Sequence, residues 1–113
     1  MIRSQSKLAT DNNGFVTYND GNNVWLVGYK GNATEVVIPE NVTAISDYAF
    51  YNHGEIKTVV IPASITNIRD NAFNNCNGIS AVYYAGSLDS WRNISVGNNK
   101  RYCTSHMRYC FQH

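Results

Sequence analysis

The 113-residue sequence has few charged residues, only two prolines and only three cysteines. Charged residues make up 15% of the chain, and nine basic residues nearly balance eight acidic ones. No strong field therefore favours nucleic acid or a membrane surface as a partner. No run of eighteen apolar residues occurs, so neither a transmembrane helix nor membrane insertion is expected. The polar stretch 1–14 lacks the apolar centre of a signal peptide, so the chain is predicted to be intracellular or a mature, trimmed form.

Catalytic motifs are also missing. The sequence has no G-x-S-x-G, no H-E-x-x-H and no glycine-rich phosphate loop. Its acidic residues are scattered singly, and His53 lies in a predicted turn, where it is expected to fill space rather than act as a general base. We therefore predict that the protein is not an enzyme and has no cofactor.

The sequence does contain an internal repeat, because Ile38-Pro39 recurs as Ile61-Pro62 with a shift of 23 positions (61 − 38 = 23). A fixed period of this length predicts a solenoid, in which each turn buries its apolar side against its neighbours. The matching positions are Val42, Thr43, Ile45, Asp47, Ala49, Phe50, Asn52 and Ile56 in the first copy, and Ile65, Thr66, Ile68, Asp70, Ala72, Phe73, Asn75 and Ile79 in the second.

Three short β-branched or aromatic runs, 36–38, 58–61 and 81–84, predict neighbouring strands. Side chains alternate across a strand, so one row faces the core and the other is exposed on the concave side. The inner row is predicted to be Val36, Ile38, Val59, Ile61, Val82 and Tyr84. The exposed row, our candidate binding surface, is Glu35, Val37, Thr58, Val60, Ala81 and Tyr83.

The stretch after each strand predicts a single helical turn that holds Ala-Phe, with Asp47 and Asp70 as the helix N-caps. Phe50 and Phe73 are expected to occupy equivalent positions one layer apart. Asn52 and Asn75, followed by Gly54 and Asn77, are expected to supply the left-handed and side-chain-bonded conformations that return the chain to the next strand.

The pattern I-P-x-x-[VI]-T-x-I-x-D-x-A-F-x-N-x-x-x-I-x-x-V-x-I-P closely resembles the BspA-like leucine-rich repeats of treponemal and gut-bacterial surface proteins and of trichomonads. The resemblance covers residues 14–113. It implies a leucine-rich-repeat solenoid of the α+β class: a short parallel β-sheet, single helical turns on the convex side and a secreted or cell-surface location. The family's cysteine three residues after Ala-Phe is present as Cys76, but His53 stands there in the preceding repeat.

The sequence is divided into a flexible arm over 1–13 and a single domain over 14–113. Within the domain we predict a hairpin cap over 14–34, repeats over 35–84 and a C-terminal cap of helix and strand over 85–113. Alternation in the two hairpin strands, 15–19 and 24–29, leaves open which row faces inward. One row is Trp25, Val27 and Tyr29, and the other is Val24 and Leu26.

In the C-terminal cap, Ser87 is expected to cap a helix from Leu88 to about Ile94. Leu88, Trp91 and Ile94 are spaced by three along one side of that helix. Trp91 is interpreted as a packing residue rather than a ligand platform.

The last eleven residues contain the one arrangement with metal-ligand chemistry, C-x2-H-x3-C-x2-H. On a helix the four side chains would share one face and suit zinc, whereas the alternation of residues 107–112 predicts a strand that separates them. We expect no metal site, with these four as a weak candidate: Cys103, His106, Cys110 and His113. Two alternatives stay open for Cys103 and Cys110, a disulfide in a secreted protein or free thiols in a reducing compartment, while Cys76 is predicted to be a buried small hydrophobe.

Two functional hypotheses remain. The first is a module that binds a protein or glycan through the exposed row; the family resemblance implies a role in adhesion or host interaction. The second is a structural spacer or terminal piece of a larger repeat array, which has no ligand of its own and associates with itself through its ends.

Overall fold

The computed structural model describes residues 7–96, and most of the regular structure in them is β-strand. The elements are β1 (Leu8–Thr10), β2 (Phe15–Asn19), β3 (Val24–Tyr29), β4 (Glu35–Val37), β5 (Ala44–Ile45), β6 (Thr58–Ile61), β7 (Asn67–Ile68), β8 (Ala81–Tyr84), α1 (Leu88–Asn93) and β9 (Ser95–Val96). The weak zinc candidate and the Cys103–Cys110 bridge lie outside the described residues.

The three predicted repeat strands form a parallel sheet in the order β4–β6–β8. Val36 lies opposite Val59, and Val59 lies opposite Val82, so the pairing follows the 23-residue repeat. The inner row is buried as predicted, with no member more than 3% exposed: Val36, Ile38, Val59, Ile61, Val82 and Tyr84. The prediction of neighbouring strands with a shared inner row is therefore confirmed.

A second sheet runs in the order β1–β2–β3–β5–β7–β9. Its repeat strands are only two residues long, and parallel pairing places Ile45 opposite Ile68. Both isoleucines are buried, as expected for side chains that point back to the core. The sequence did not predict these strands, because two residues are too short to show an alternating pattern.

The predicted helical turns with aspartate caps are wrong. Residues 47–52 and 70–75 form consecutive turns rather than helix, and Tyr48 has a φ of 62°, outside the right-handed helical region. Oδ1 of Asp47 does not cap its own segment; it accepts a hydrogen bond of 3.1 Å from the backbone N–H of Asn71 in the next repeat. The aspartate thus joins two repeats.

Backbone hydrogen bonds explain why the first of these turns, residues 47–52, is not helical. Three N–H groups of the first turn donate to carbonyl oxygens of the next repeat: Tyr48 to Asn71 at 2.9 Å, Phe50 to Ala72 at 2.9 Å and Asn52 to Asn74 at 3.1 Å. An N–H group committed to the neighbouring repeat cannot also donate within a helix.

The returns to the next strand and the aromatic core agree with the sequence. Asn52 and Asn75 adopt left-handed conformations, with φ of 69° and 64°, whereas Gly54 does not, so the prediction for that glycine is wrong. Nδ2 of Asn77 donates to Oδ1 of Asn75 at 3.3 Å. The rings of Phe50 and Phe73 stack one repeat apart, with centroids 5.1 Å apart and planes within 1°.

The N-terminal hairpin is formed by the antiparallel pair β2 and β3. In the turn between them, Oδ1 of Asp20 accepts hydrogen bonds from the N–H groups of Asn22 and Asn23, at 2.8 and 2.7 Å. The N–H of Asn23, then that of Asn22, hold the pKa of Asp20 below its ordinary value of 3.8. Nε1 of Trp25 also donates to Oδ2 of Asp20 at 3.1 Å, which ties the turn to the strand.

Neither alternating row of β3 faces the core by itself, because a register shift interrupts the strand. Thr17 pairs with Leu26 and Val16 pairs with Gly28, so Val27 has no opposite residue and the strand bulges. Leu26 from one row and Tyr29 from the other are therefore both buried. Simple alternation could not predict this mixture.

The predicted flexible arm is wrong for residues 8–10. These residues form β1, which pairs antiparallel with β2 and places Leu8 opposite Tyr18. All three side chains are exposed, and three residues are too few to show the alternating pattern that predicts a strand. The domain boundaries and the cap roles of 14–34 and 85–113 stay predictions.

Helix α1 begins at Leu88, as predicted from the sequence. Oγ of Ser87 accepts a hydrogen bond of 3.1 Å from the N–H of Ser90, and the helix ends at Asn93. Trp91 and Ile94 are buried, and the Trp91 ring packs on Tyr84 with centroids 5.3 Å apart. A ring covered in this way packs the core and does not offer a ligand platform.

Candidate functional site on the three-stranded sheet

We define the outer row as the six side chains on the side of the β4–β6–β8 sheet that faces away from the core: Glu35, Val37, Thr58, Val60, Ala81 and Tyr83. The parallel register aligns them in two lines across the strands. One line runs from Glu35 through Thr58 to Ala81, and the other runs from Val37 through Val60 to Tyr83. The structure therefore brings all six predicted site residues together on one face.

The outer row is apolar along one line and polar at one corner. Val37 is 58% exposed, although valine is among the residues that are most often buried. Val60 and Tyr83, in the same line, are half-buried, and the Glu35 carboxylate is exposed at the corner formed by β4. An apolar and aromatic line beside one carboxylate can contact a partner, but it holds no arrangement for bond-making chemistry.

A cleft of about 470 Å³ adjoins the outer row at β4. Phe15, Tyr29 and Val36 contribute apolar lining, while Asn13 and Asn32 contribute amides. We refer to it as the edge cleft. The edge cleft could not be predicted from the sequence, since it forms where the loops 11–14 and 31–33 meet the first repeat strand.

His53 joins its own turn to the end of β3. Its Nε2 lies 2.9 Å from the carbonyl oxygen of Tyr29, and its Nδ1 lies 2.8 Å from Oε2 of Glu55. Both partners are acceptors, so only the doubly protonated ring donates to both. The hydrogen bond from His53 is the main reason that the pKa of Glu55 lies below its ordinary value. This geometry fits the interpretation of His53 as a residue that closes a turn.

Cys76 occupies the equivalent position one repeat later and is buried, as predicted. Its Sγ donates a hydrogen bond of 2.8 Å to the carbonyl oxygen of Phe50. Burial raises the pKa of the Cys76 thiol above its ordinary value, so the reactive thiolate is disfavoured. The thiol is a packing element rather than a nucleophile.

The turn surface carries an exposed aromatic pair that was not predicted from the sequence. Tyr48 and Tyr51 are 53% and 50% exposed, and their rings meet edge to face with centroids 5.5 Å apart. The 23-residue alignment does contain a signal, because the matching positions of the next repeat are the polar residues Asn71 and Asn74.

No group of three or more His, Cys, Asp or Glu side chains within residues 7–96 is placed to hold a metal ion. Within the same residues, no helix has both the length and the apolar character needed to cross a membrane.

Residues 28–112 match the family model described as "BspA type Leucine rich repeat region (6 copies)". No curated protein matches the chain. A solved leucine rich cell surface protein from Faecalibacterium prausnitzii A2-165 is similar, with a TM-score of 0.68 and 25% identity over 88% of this chain and 29% of that one. A leucine-rich repeat protein from Bacteroides capillosus ATCC 29799 has a TM-score of 0.60 and 22% identity over 70% of this chain and 71% of that one. The chain thus spans 29% of the length of the Faecalibacterium protein.

Proposed function

Because the chain belongs to the BspA-type leucine-rich repeat family, we propose that it is a non-enzymatic module that binds a protein or glycan through the outer row. The observation that carries this proposal is the alignment of Val37, Val60 and Tyr83 across three parallel strands. Repeat proteins commonly bind partners on a surface formed in this way, since stacking aligns the equivalent exposed positions of successive repeats.

The size of the surface sets the expected affinity. Neighbouring strands lie about 4.8 Å apart, so the three strands of the outer row span only about 10 Å. A standard interface buries about 800 Å² on each partner. We therefore expect weak binding by this segment alone, and stronger binding when several copies act together.

We further propose that the protein acts outside the cell, at a cell surface, in adhesion or host interaction. The similar Faecalibacterium protein is described as a leucine rich cell surface protein, which supports the location. The balanced charge of the chain fits recognition by apolar and hydrogen-bonding contacts rather than by long-range attraction.

Arrays of purified extracellular proteins and of glycans test the proposal. Val37→Asp, Val60→Asp and Tyr83→Ala are each expected to remove at least one array signal of the wild type, because each changes the apolar line without touching the buried inner row. Circular dichroism melts check that each variant is folded. Tyr51→Ala, on the exposed turn surface, is the matched control and should keep every signal. Retention of all wild-type signals by the three outer-row variants would reject this surface.

The alternative function is a spacer within a longer array. It is favoured by the observation that this chain spans only 29% of the length of the similar surface protein. A spacer that docks through its ends should sediment faster as its concentration rises, and it should give no array signal. Sedimentation as a monomer at all concentrations, together with a saturable array signal, would contradict it.

A further inference from the structure

Among the strands of residues 7–96, none pairs with the side of β4 that faces away from β6, so this side is an open sheet edge. β4 is the first strand in the order β4–β6–β8. Ile38 donates to the carbonyl oxygen of Val60 at 3.1 Å, and the carbonyl oxygen of Thr34 accepts from Thr58 at 3.1 Å, so residues 34 and 38 face β6. Backbone groups alternate in direction along a strand, so the N–H and C=O groups of Glu35 and Val37 point to the open side.

The N-terminal unit explains why this edge is open. The hairpin contributes β3 to the six-stranded sheet, but it contributes no strand beside β4. One repeat period before β4 lie residues 12–14 (35 − 23 = 12), and these form a turn instead. Oδ1 of Asp11 accepts hydrogen bonds from the N–H groups of Asn13 and Phe15, at 2.9 and 3.0 Å, and Gly14 has a φ of 94°. The six-stranded sheet therefore continues from the repeats into the hairpin through β3, whereas the three-stranded sheet ends at β4.

A fourth strand that paired with the open edge of β4 would run through the edge cleft, which Glu35, Val36 and Val37 of β4 line. Phe15 and Tyr29, whose ring centroids are 5.0 Å apart, line it together with the inner-row residue Val36. Apolar side chains of an added strand would contact this lining. At the rim, the exposed Glu35 forms no ion pair within residues 7–96, so the position accepts a cationic partner. Val37, at 58% exposed, would be covered by the same strand.

We propose that the open edge of β4 binds an extended polypeptide segment as a fourth strand of this sheet. The bound segment has β-branched residues that alternate between the cleft and the outer face, and a lysine or arginine beside Glu35. It runs parallel to β4, because parallel pairing continues the existing stack and brings its inward residues over Phe15 and Tyr29. This site uses backbone groups and the cleft, so it does not depend on the outer row being a ligand surface.

The repeat supplies a probe for this site. Residues 57–62, KTVVIP, already pair with β4 from the other side, with Val59 opposite Val36. A capped, fluorescent peptide of this sequence should bind saturably to the whole chain. Hydrogen exchange should slow at the amides of Glu35 and Val37 and stay unchanged at Ile38, whose N–H already bonds Val60. A peptide N-methylated at alternate residues on its pairing side should lose binding.

Charge variants test the chemistry of the rim. In the register of the repeat the second residue of the peptide lies opposite Glu35. Glu35→Lys should therefore weaken binding of the peptide TKVVIP roughly fivefold and strengthen binding of its charge-reversed form TEVVIP, because an attraction becomes a repulsion. Glu40→Lys makes the same charge change at an exposed residue after β4 and should leave both affinities unaltered.

Three results would overturn the proposal. The first is the absence of saturable binding at millimolar peptide, and the second is equal binding of the N-methylated peptide. The third is protection of Glu35 and Val37 amides that grows with protein concentration when no peptide is present, since a second copy would then fill the edge. Retention of every array signal by the outer-row variants, together with saturable peptide binding, would instead contradict only the outer-row proposal.

Discussion

Gly14 lies in the N-terminal turn at a position that only a residue without a side chain fits. Its φ of 94° lies in the left-handed region, and a Cβ there would lie 2.7 Å from the backbone nitrogen of Gly31. Gly21 has nearly the same φ, 93°, but a Cβ there would have no neighbour within 4 Å. The two positions thus separate the cost of conformation from the cost of a close approach.

We predict that Gly14→Ala destabilises the protein much more than Gly21→Ala. Gly21→Ala places an alanine in the left-handed region, which costs about 1–2 kcal/mol of unfolding free energy. Gly14→Ala has the same cost and also displaces the chain at Gly31. The free energy of unfolding, measured by urea denaturation, checks this difference. Equal losses in the two variants would show that the contact between the two loops is absent.

The pair His53 and Glu55 predicts a dependence of stability on pH. The pKa of Glu55 in the folded protein lies below the ordinary value of 4.5, chiefly because of the hydrogen bond from His53. The unfolded chain therefore binds more protons between these two pKa values, and folding stability falls as the pH falls through that window.

Glu55→Gln should be less stable than the wild type above pH 4.5, and this difference should vanish as the pH falls below the lowered pKa. Urea denaturation between about pH 3 and pH 6 measures it. Glu40→Gln, at an exposed carboxylate, controls for the loss of one charge. A difference from wild type that is constant over the whole range would contradict the role of this pair.

At the scale of elements, the repeat unit is a strand, a two-residue strand and a turn, each bonded to its equivalent in the next repeat. The 23-residue pattern predicted the inner row and the stacked phenylalanines, because burial requires the same apolar residues at the same positions. It did not predict the two-residue strands or the ladder between turns, because those depend on backbone hydrogen bonds that any side chain allows.

We predict that Phe50→Ala costs about 3–5 kcal/mol of unfolding free energy, because it leaves a cavity beside the ring of Phe73. Tyr51→Ala, which removes the neighbouring exposed ring, should change stability by no more than about 0.5 kcal/mol. Thermal and urea denaturation measure both. If Phe50→Ala does not fold, Phe50→Leu serves in its place and should still be less stable than Tyr51→Ala. Similar losses of unfolding free energy in Phe50→Ala and Tyr51→Ala would contradict the stacking of Phe50 on Phe73.

At the scale of the whole molecule, stacking explains both where the outer row lies and where the β4 edge is open. The sequence located the six outer-row residues because alternation along a strand is a local property. The edge cleft could not be predicted, since it depends on how the hairpin meets the first repeat. The bulge at Val27 and the turn around Gly14 set that arrangement, and both are visible only in the folded chain.

The most direct test of the outer row is an NMR map of backbone amide shifts during titration with whichever array partner binds most strongly. We predict that the largest changes cluster on the strands β4, β6 and β8, at Glu35, Val37, Thr58, Val60, Ala81 and Tyr83. Largest changes on the turn surface instead, around Tyr48 and Tyr51, would contradict the account.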